Sequence, residues 1–382
     1  MSTATNSGEN YDSHASSSNQ DDRSTNTSPQ SQAVETPENH SEEDVTQMVK
    51  DLSNALESAI EEIESVNSET KVLALNARIE AARAGSVGAA FGVVAQEMQT
   101  LSAKTSTIAR DMSHRTREKT ANLMSLIDVT IRGTRLSDLA LVNIDLIDRN
   151  LYERTCDVRW WATDASLVDA LTDPNADRCN FASKRLGVIL DAYTVYHDLV
   201  LCDQTGMVVA NGRPREFASV GKSESHAEWF TEAAASRSGD EYGFQSAHVS
   251  QLCNNQPSLI YSCGVRRDGN ANGDLLGVLG ILFNWTGLAE PILTQMPIHP
   301  SDQAKTKAYI CDQQGRILAS NQNDAINSKL SLPEFDKVVS SEKGFYVAEY
   351  GKETMCIGHA SSPGFETYKT GWVSIVMQPI ED

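Results

Sequence analysis

Residues 70–98, TKVLALNARIEAARAGSVGAAFGVVAQEM, constrain this chain most, because they read as two amphipathic helices joined by a tight turn. Before the turn, Val49, Leu52, Leu56, Ala59, Ile63, Val66, Thr70, Leu73 and Ala77 recur at alternating spacings of three and four, the seam of a coiled coil. Phe91, Val94, Met98, Leu101, Thr105, Ile108 and Met112 repeat the pattern after it. Gly85 and Gly88 mark the reversal, where a residue without Cβ can take positive φ or let two backbones approach. Ala74, Ala77, Ala81, Ala82, Ala84, Ala89 and Ala90 crowd the same end and allow several helices to pack closely. The expectation is an antiparallel helical hairpin whose seam is only partly buried by one copy, hence a dimeric four-helix coiled coil.

Residues 1–40 are polar and nearly free of large apolar groups, which predicts a disordered tail. Ser41 with Asp44 three positions on reads as the cap of the first helix. If the chain folds back near residue 86, the second helix outlasts the first. Its apolar spacing continues through Leu136, Leu139, Ile144, Ile147 and Leu151, with Gly133 as the expected hinge and a connecting helix over 136–165.

From about residue 150 the pattern changes to short strands. DLVLCDQTGMVVAN (198–211) and AYICDQQGRILASN (308–321) repeat one plan: strand, D-x-x-G turn, strand. The Asp can bond the local backbone and the Gly supplies positive φ. The fold class is therefore α+β: a helical hairpin, then a long helix, then two mixed subdomains. The segments expected are the tail 1–40, the hairpin 41–135, the connecting helix with the first subdomain 136–303, and the second subdomain 304–382.

The net charge of −20 argues against binding nucleic acid or anionic membrane, which needs clustered Lys and Arg. No apolar run suits a membrane span and the first residues lack the form of a signal peptide, so a cytoplasmic location is expected. The seven cysteines show no CxxC spacing, and free thiols are expected rather than a zinc site. No G-x-S-x-G, HExxH or P-loop is present, so neither an enzyme nor a cofactor is expected.

The run ALNARIEAARAG followed by GxxFxVVAxE resembles the cytoplasmic signalling tip of bacterial methyl-accepting chemotaxis receptors. That resemblance implies a homodimer, dimers gathered into trimers, and a tip that contacts a chemotaxis histidine kinase and its coupling protein. It places Leu75, Asn76, Glu80 and Arg83 at trimer-contact positions, with Val72 and Val93 on nearby apolar contacts. The chain departs from the family at Ser68, Lys71, Ala89, Ala90 and Gln99. Glu61 and Glu62 look like methylated glutamates but read as a solvated acidic face.

The two repeated subdomains behind a long helix resemble a double Cache sensor over roughly 140–382. In that family the ligand lies in the first subdomain, beside a helix carrying R-x-W-[YF]. Here the element is Ala227-Glu228-Trp229-Phe230, with Ala in place of the carboxylate-gripping Arg, and Leu282 or Asn284 where an amine-holding Asp would stand. The resemblance implies a small-molecule site formed by Trp229, Phe230, His226, His248, Tyr261 and Asn284, relying on apolar contact more than on charge. Trp160 and Trp161 read as packing of the long helix onto the sheet.

Together these readings describe a soluble chemoreceptor-like transducer in which a small intracellular ligand biases a kinase-contacting hairpin. The alternative is a dimeric scaffold with a degenerate sensor and no kinase control. Both expect association through residues 41–130, so light scattering of the full chain at micromolar concentration should give at least a dimer. A monomeric mass rules out the four-helix arrangement.

Overall fold

The computed structural model describes residues 42–322 and 324–380. The tail 1–40 and the Ser41 cap lie outside the described residues. Helix α1 (Glu42–Arg83) meets α2 (Ala89–Trp161) through a single 3-10 turn, Gly85–Gly88, in which Gly85 has φ +62°. The cross-helix bonds pair ascending with descending numbers. Glu57 meets Arg117 at 2.8 Å, Asn67 donates to Ser102 O at 2.8 Å and Ser106 Oγ at 2.6 Å, and Arg78 donates to Gln96 and Gln99 at 3.0 and 2.7 Å.

The face on which α1 and α2 meet is not the apolar seam read from sequence. Ile60, Asn67, Ala74 and Ala81, seven residues apart, are buried opposite Ala95, Ser102 and Ala109. Leu52, Val66, Leu73, Phe91 and Leu101 instead point outward and are 60–74% exposed. Small side chains let two helices approach closely, so this stripe wins the inner contact. The larger residues form a second stripe, bordering an open apolar groove of about 570 Å³ beside Ile63, Val66 and Leu101.

Helix α2 runs unbroken through Gly133 and beyond. The expected hinge at Gly133 is thereby corrected, and the segment expected as a connecting helix is the continuation of α2 to Trp161. Gly133 is a contact: a Cβ at this position would sit 2.1 Å from Phe345 Cδ2. The α2 chain needs the room because it lies against the second sheet.

After α2 come α3 (Ala165–Thr172) and α4 (Ala176–Ala192), each capped by a side chain, Asp164 on Ser166 N and Asn175 on Arg178 N. The first subdomain holds β1 (Tyr196–Asp203), β2 (Val208–Asn211), α5 (Glu228–Ala234), β3 (Gly243–Ser250), β4 (Gln256–Arg266) and β5 (Leu275–Asn284). α6 (Trp285–Thr294) and α7 (Pro300–Gln303) lead to β6 (Lys307–Cys311), β7 (Ile317–Ser320), α8 (Phe335–Ser340), β8 (Lys343–Tyr350), β9 (Glu353–Ser361) and β10 (Val373–Pro379). The sheets have the same antiparallel order, β2-β1-β5-β4-β3 and β7-β6-β10-β9-β8.

The repeated D-x-x-G turns behave as their residues dictate. Asp203 Oδ1 accepts from Thr205 N and Met207 N at 2.8 and 3.1 Å, and Asp312 Oδ1 accepts from Gln314 N and Arg316 N, both at 2.9 Å. Gly206 and Gly315 take φ +84° and +77°.

One face of each sheet packs on α2, whose Leu136, Ala140, Ile144, Ile147, Leu151 and Val158 are buried between them. The approach is tightest at Gly358 of β9, where a Cβ would lie 2.4 Å from the α2 backbone at Leu136 and Ser137. Asp148, fully buried on α2, accepts from Ser362 Oγ (2.6 Å), Gly364 N (2.8 Å) and Thr370 Oγ1 (2.7 Å), pinning the loop between β9 and β10 to the helix. The outer faces form smaller cores, under α5 in the first subdomain and α8 in the second.

Gly133 distinguishes hinge from contact by sign. An exposed mid-helix Gly→Ala change adds up to about 1 kcal/mol of stability. Here the methyl meets the Phe345 ring, so Gly133→Ala should destabilise the chain by roughly 1–3 kcal/mol. Chemical denaturation of the variant, alone and with Phe345→Ala, measures it; a gain in the single variant refutes the contact reading.

Candidate functional site

Strand alternation sorts the first sheet into two faces. Leu199, Leu201, Leu259, Tyr261 and Cys263 face α2, whereas Val200, Cys202, Ile260, Val278 and Leu282 face α5. Trp229 of α5 lies over Gly280, where a Cβ would come 2.7 Å from the indole, so the missing side chain makes the seat for the ring. Its carbonyl accepts from Ser262 Oγ at 2.5 Å. Phe230 meets Trp229 edge to face at 6.0 Å and 89°. Phe217 and Leu252 complete the layer, and Trp229 is fully buried. Burial pushes the Glu224 carboxyl up, against a hydrogen bond from Trp229 and the charge of Lys222.

At the edge of this layer lies a buried polar group. Asp198 projects from β1 on the same side as Val200. Its Oδ1 accepts from the backbone of Leu199, Gly212 and Arg213 at 2.8, 3.0 and 3.0 Å, and its Oδ2 accepts from Asn211 Nδ2 at 2.7 Å. Asn211 also donates to Phe217 O, which ties the group to the aromatic layer. Desolvation outweighs the four donors and raises the Asp198 carboxyl from its ordinary 3.8 to about 6. Asn211 Oδ1 and Ser219 Oγ are buried with no hydrogen-bond partner, an arrangement that native interiors seldom keep without a reason. Cys253 and Ser258 meet at 3.0 Å close by, and the Asp198 charge acts on that thiol.

Of the six ligand-contact residues expected from sequence, the structure brings Trp229 and Phe230 together in this layer. Tyr261 lies on the opposite face, its hydroxyl 2.6 Å from that of Tyr368 in the second subdomain. Asn284 is the N-cap of α6, accepting from Gly287 N at 3.0 Å. His248 sits half-buried on β3 with Nδ1 2.8 Å from Ser246 O. His226 precedes α5 and is exposed. Asp198, Asn211 and Ser219 are the candidates that sequence reasoning missed. An Asp on the inward phase of the apolar strand YHDLVLCD was the available signal.

At the α1–α2 turn, Val72, Leu75, Asn76, Glu80, Arg83 and Val93 are all exposed, and Glu80 and Arg83 pair at 3.3 Å. Trp161 packs edge to face on Tyr193 and Tyr196 as expected, but Trp160 does not pack on the sheet and is 70% exposed. Among the described residues no helix is long and apolar enough to cross a membrane.

Two antiparallel sheets of identical strand order, stacked along one helix with a closed layer under α5, define a tandem α+β sensor module. The model of the Cache domain family, dCache_1, matches residues 30–382, and the chain belongs to that family. The V. cholerae histidine kinase DctB sensor domain shares the fold at a TM-score of 0.50, with 12% identity, 66% of this chain and 98% of that one covered. Methyl-accepting chemotaxis protein HlyB of Vibrio cholerae is 31% identical over 102 residues, which is 26% of this chain and 19% of that protein. Methyl-accepting chemotaxis protein McpG of Pseudomonas putida is 40% identical over 78 residues, 20% of this chain and 11% of that one. The chain thus spans a fifth or less of the length of these two chemotaxis proteins.

Asp198 generates a pH test. Between about pH 4 and 6 the unfolded carboxyl ionises while the folded one keeps its proton, so stability falls as pH rises through this window and is level above it. Asp198→Asn lacks this term. The stability difference between parent and variant should therefore shift by up to about 3 kcal/mol against the parent from pH 4 to 7. Denaturation curves across that range check it, and a pH-independent difference would contradict the buried carboxyl.

Proposed function

We propose that this chain is a cytoplasmic, homodimeric chemoreceptor-type transducer. Its Cache module binds a small molecule in the α5 layer of the first subdomain, and its α1–α2 pair contacts a chemotaxis histidine kinase and coupling protein. The observation that carries the reading is the continuity of α2, one 73-residue helix that packs on both sheets and then pairs with α1. A shift of the sheets has no joint in which to be lost before it reaches the turn. The likeness of short stretches to chemotaxis proteins agrees with this output.

For the input, the partnerless Asn211 Oδ1 and Ser219 Oγ beside Trp229 and Phe217 suit a ligand with an apolar body and at least one N–H or O–H donor. Because Trp229 is closed in, binding selects a more open arrangement of α5, and the ligand moves the equilibrium only by its preference for that state. The outward stripe of Val66, Leu73, Phe91 and Leu101 supports a second copy packing there. The domains called 41–135, 136–303 and 304–382 remain the working division, with no enzyme activity.

A scaffold without kinase control is the second reading, favoured by Ala227 at the gripping position and by the filled layer. The test is a reconstituted kinase assay with the full chain. Glu80→Ala and Arg83→Ala alter exposed side chains in a pair that contributes at most about 1 kcal/mol, so helix content and oligomeric mass should be unchanged while coupling is lost. Kinase output that ignores both substitutions, or ignores the chain altogether, selects the scaffold.

A further inference from the structure

A cavity lies in the first subdomain beside the end of α2 and the segment that follows α5, and shares no lining residue with the α5 layer. It measures about 330 Å³, at the low end of the ~300–1,000 Å³ usual for small-molecule sites. The last turns of α2 give Cys156, Arg159 and Trp160, the end of β4 gives Cys263 and Arg266, and the loop before β3 gives Asp240.

Two guanidinium groups converge here. Arg159 donates to Thr155 O at 2.8 Å and Asp240 O at 3.4 Å. Arg266, only 7% exposed, donates to Gly273 O at 3.0 Å and Ser236 O at 2.6 Å, and its Nε–H has no partner. Among the described residues, neither has a carboxylate at ion-pair distance. In a chain of net charge −20, two arginines in one wall with neither held in an ion pair are unusual company. Burial raises the Cys263 thiol to about 11 while both guanidinium groups pull against it, which places both charges near one point of the wall. A buried cation answered only by neutral acceptors, here two carbonyls and the Ser236 hydroxyl, is stabilised by an anion arriving beside it.

The remaining wall narrows the anion. Asp240 is the one carboxylate lining the cavity, so the formal side-chain charge is 2 − 1 = +1, which suits a monoanion better than a phosphate dianion. Guanidinium matches the planar pair of oxygens on a carboxylate. Trp160 stands at the rim, exposed and without a packing role, a face on which an apolar or aromatic body can lie. We propose that this cavity is a second ligand site, for a small organic monocarboxylate held by Arg159 and Arg266 with its body against Trp160. The site sits on the last turn of the helix that carries any signal to the α1–α2 turn, and it is separate from the α5 layer, so it stands whether or not that layer binds a ligand.

The experiment is calorimetric titration of the full chain with acetate, benzoate, phenylacetate and indole-3-acetate, with benzyl alcohol as the neutral comparison. The aromatic acids should bind more tightly than acetate, benzyl alcohol should not bind, and added NaCl should weaken binding. Arg159→Gln should reduce affinity about tenfold or more, and Trp160→Ala should reduce it for the aromatic acids and not for acetate. Melting curves check that each variant is folded, and the exposed Trp160 is replaceable should Arg159→Gln prove unstable. No binding by any of the four acids at millimolar concentration overturns the proposal. So does binding that the folded Arg159→Gln and Trp160→Ala variants leave unchanged. Binding lost in an Asn211→Ala variant but kept in these two would place the acid in the α5 layer and likewise overturn it.

Discussion

The close fit of both sheets to one helix is the constraint on which the rest depends. The α2 helix meets the second sheet so tightly that Gly133 and Gly358 are needed where side chains would collide. Asp148 then fastens the loop after β9 to the same helix through hydroxyl and backbone donors. A buried carboxyl group with a full set of donors is a demanding partner, because removing any donor leaves a buried polar atom unpaired. The loop it holds carries Tyr368 and Trp372. These touch Tyr261 and Trp285 of the first subdomain, and the Trp285 indole donates to Leu318 O of the second at 2.6 Å. Helix, loop and both sheets are therefore fixed by one set of contacts, and a change in either sheet presses on α2.

The α1–α2 pair follows a different logic. Its inner stripe is Ala, Ser, Asn and a single Ile, which bury little apolar area and gain mostly from close approach and the Asn67–Ser102 bonds. At ~25 cal/mol per Å² such a contact contributes less than the Leu, Val and Phe stripe would on burial. The larger hydrophobic gain is thus held in reserve on the outside. In the proposed function this outer stripe is the surface a second copy would cover.

Much of this was legible in the sequence where local chemistry decides the conformation. The D-x-x-G turns, their Asp bonds and their positive-φ glycines follow from those residues alone, and the two copies of the turn mark the two subdomains, though not the order of their strands. The long second helix was visible too. What failed needed three-dimensional neighbours. Gly133 reads as a weak point in one dimension, whereas its partner Phe345 lies more than two hundred residues away. The register of α1 against α2 failed because two stripes share nearly the same period, and the pattern does not say which faces inward. Tyr261 and Ile260 differ by one residue and hence by the whole thickness of the sheet. The candidate site was readable only through Trp229 and Phe230. Asp198 was hidden by its strand, because burial of a lone acid is set by the backbone donors of a loop that returns to it fourteen and fifteen residues later.

In the proposed function, the α5 layer is where site and signal meet. Trp229 rests on Gly280 of β5, and β5 is the central strand, bonded to β1 on one side and β4 on the other. Opening room beside Trp229 therefore bears on the strand whose opposite face meets α2 through Leu279 and Ile281. Protein interiors are packed too densely to absorb such a shift locally. A ligand that satisfied Asn211 Oδ1 and Ser219 Oγ would offset part of the opening energy, since each buried polar atom left unpaired costs about 1–3 kcal/mol. Differences of that size move a two-state equilibrium by one to a few orders of magnitude. Under the proposed function, the unpaired polar atoms of the closed layer are the groups through which a ligand would favour the open state.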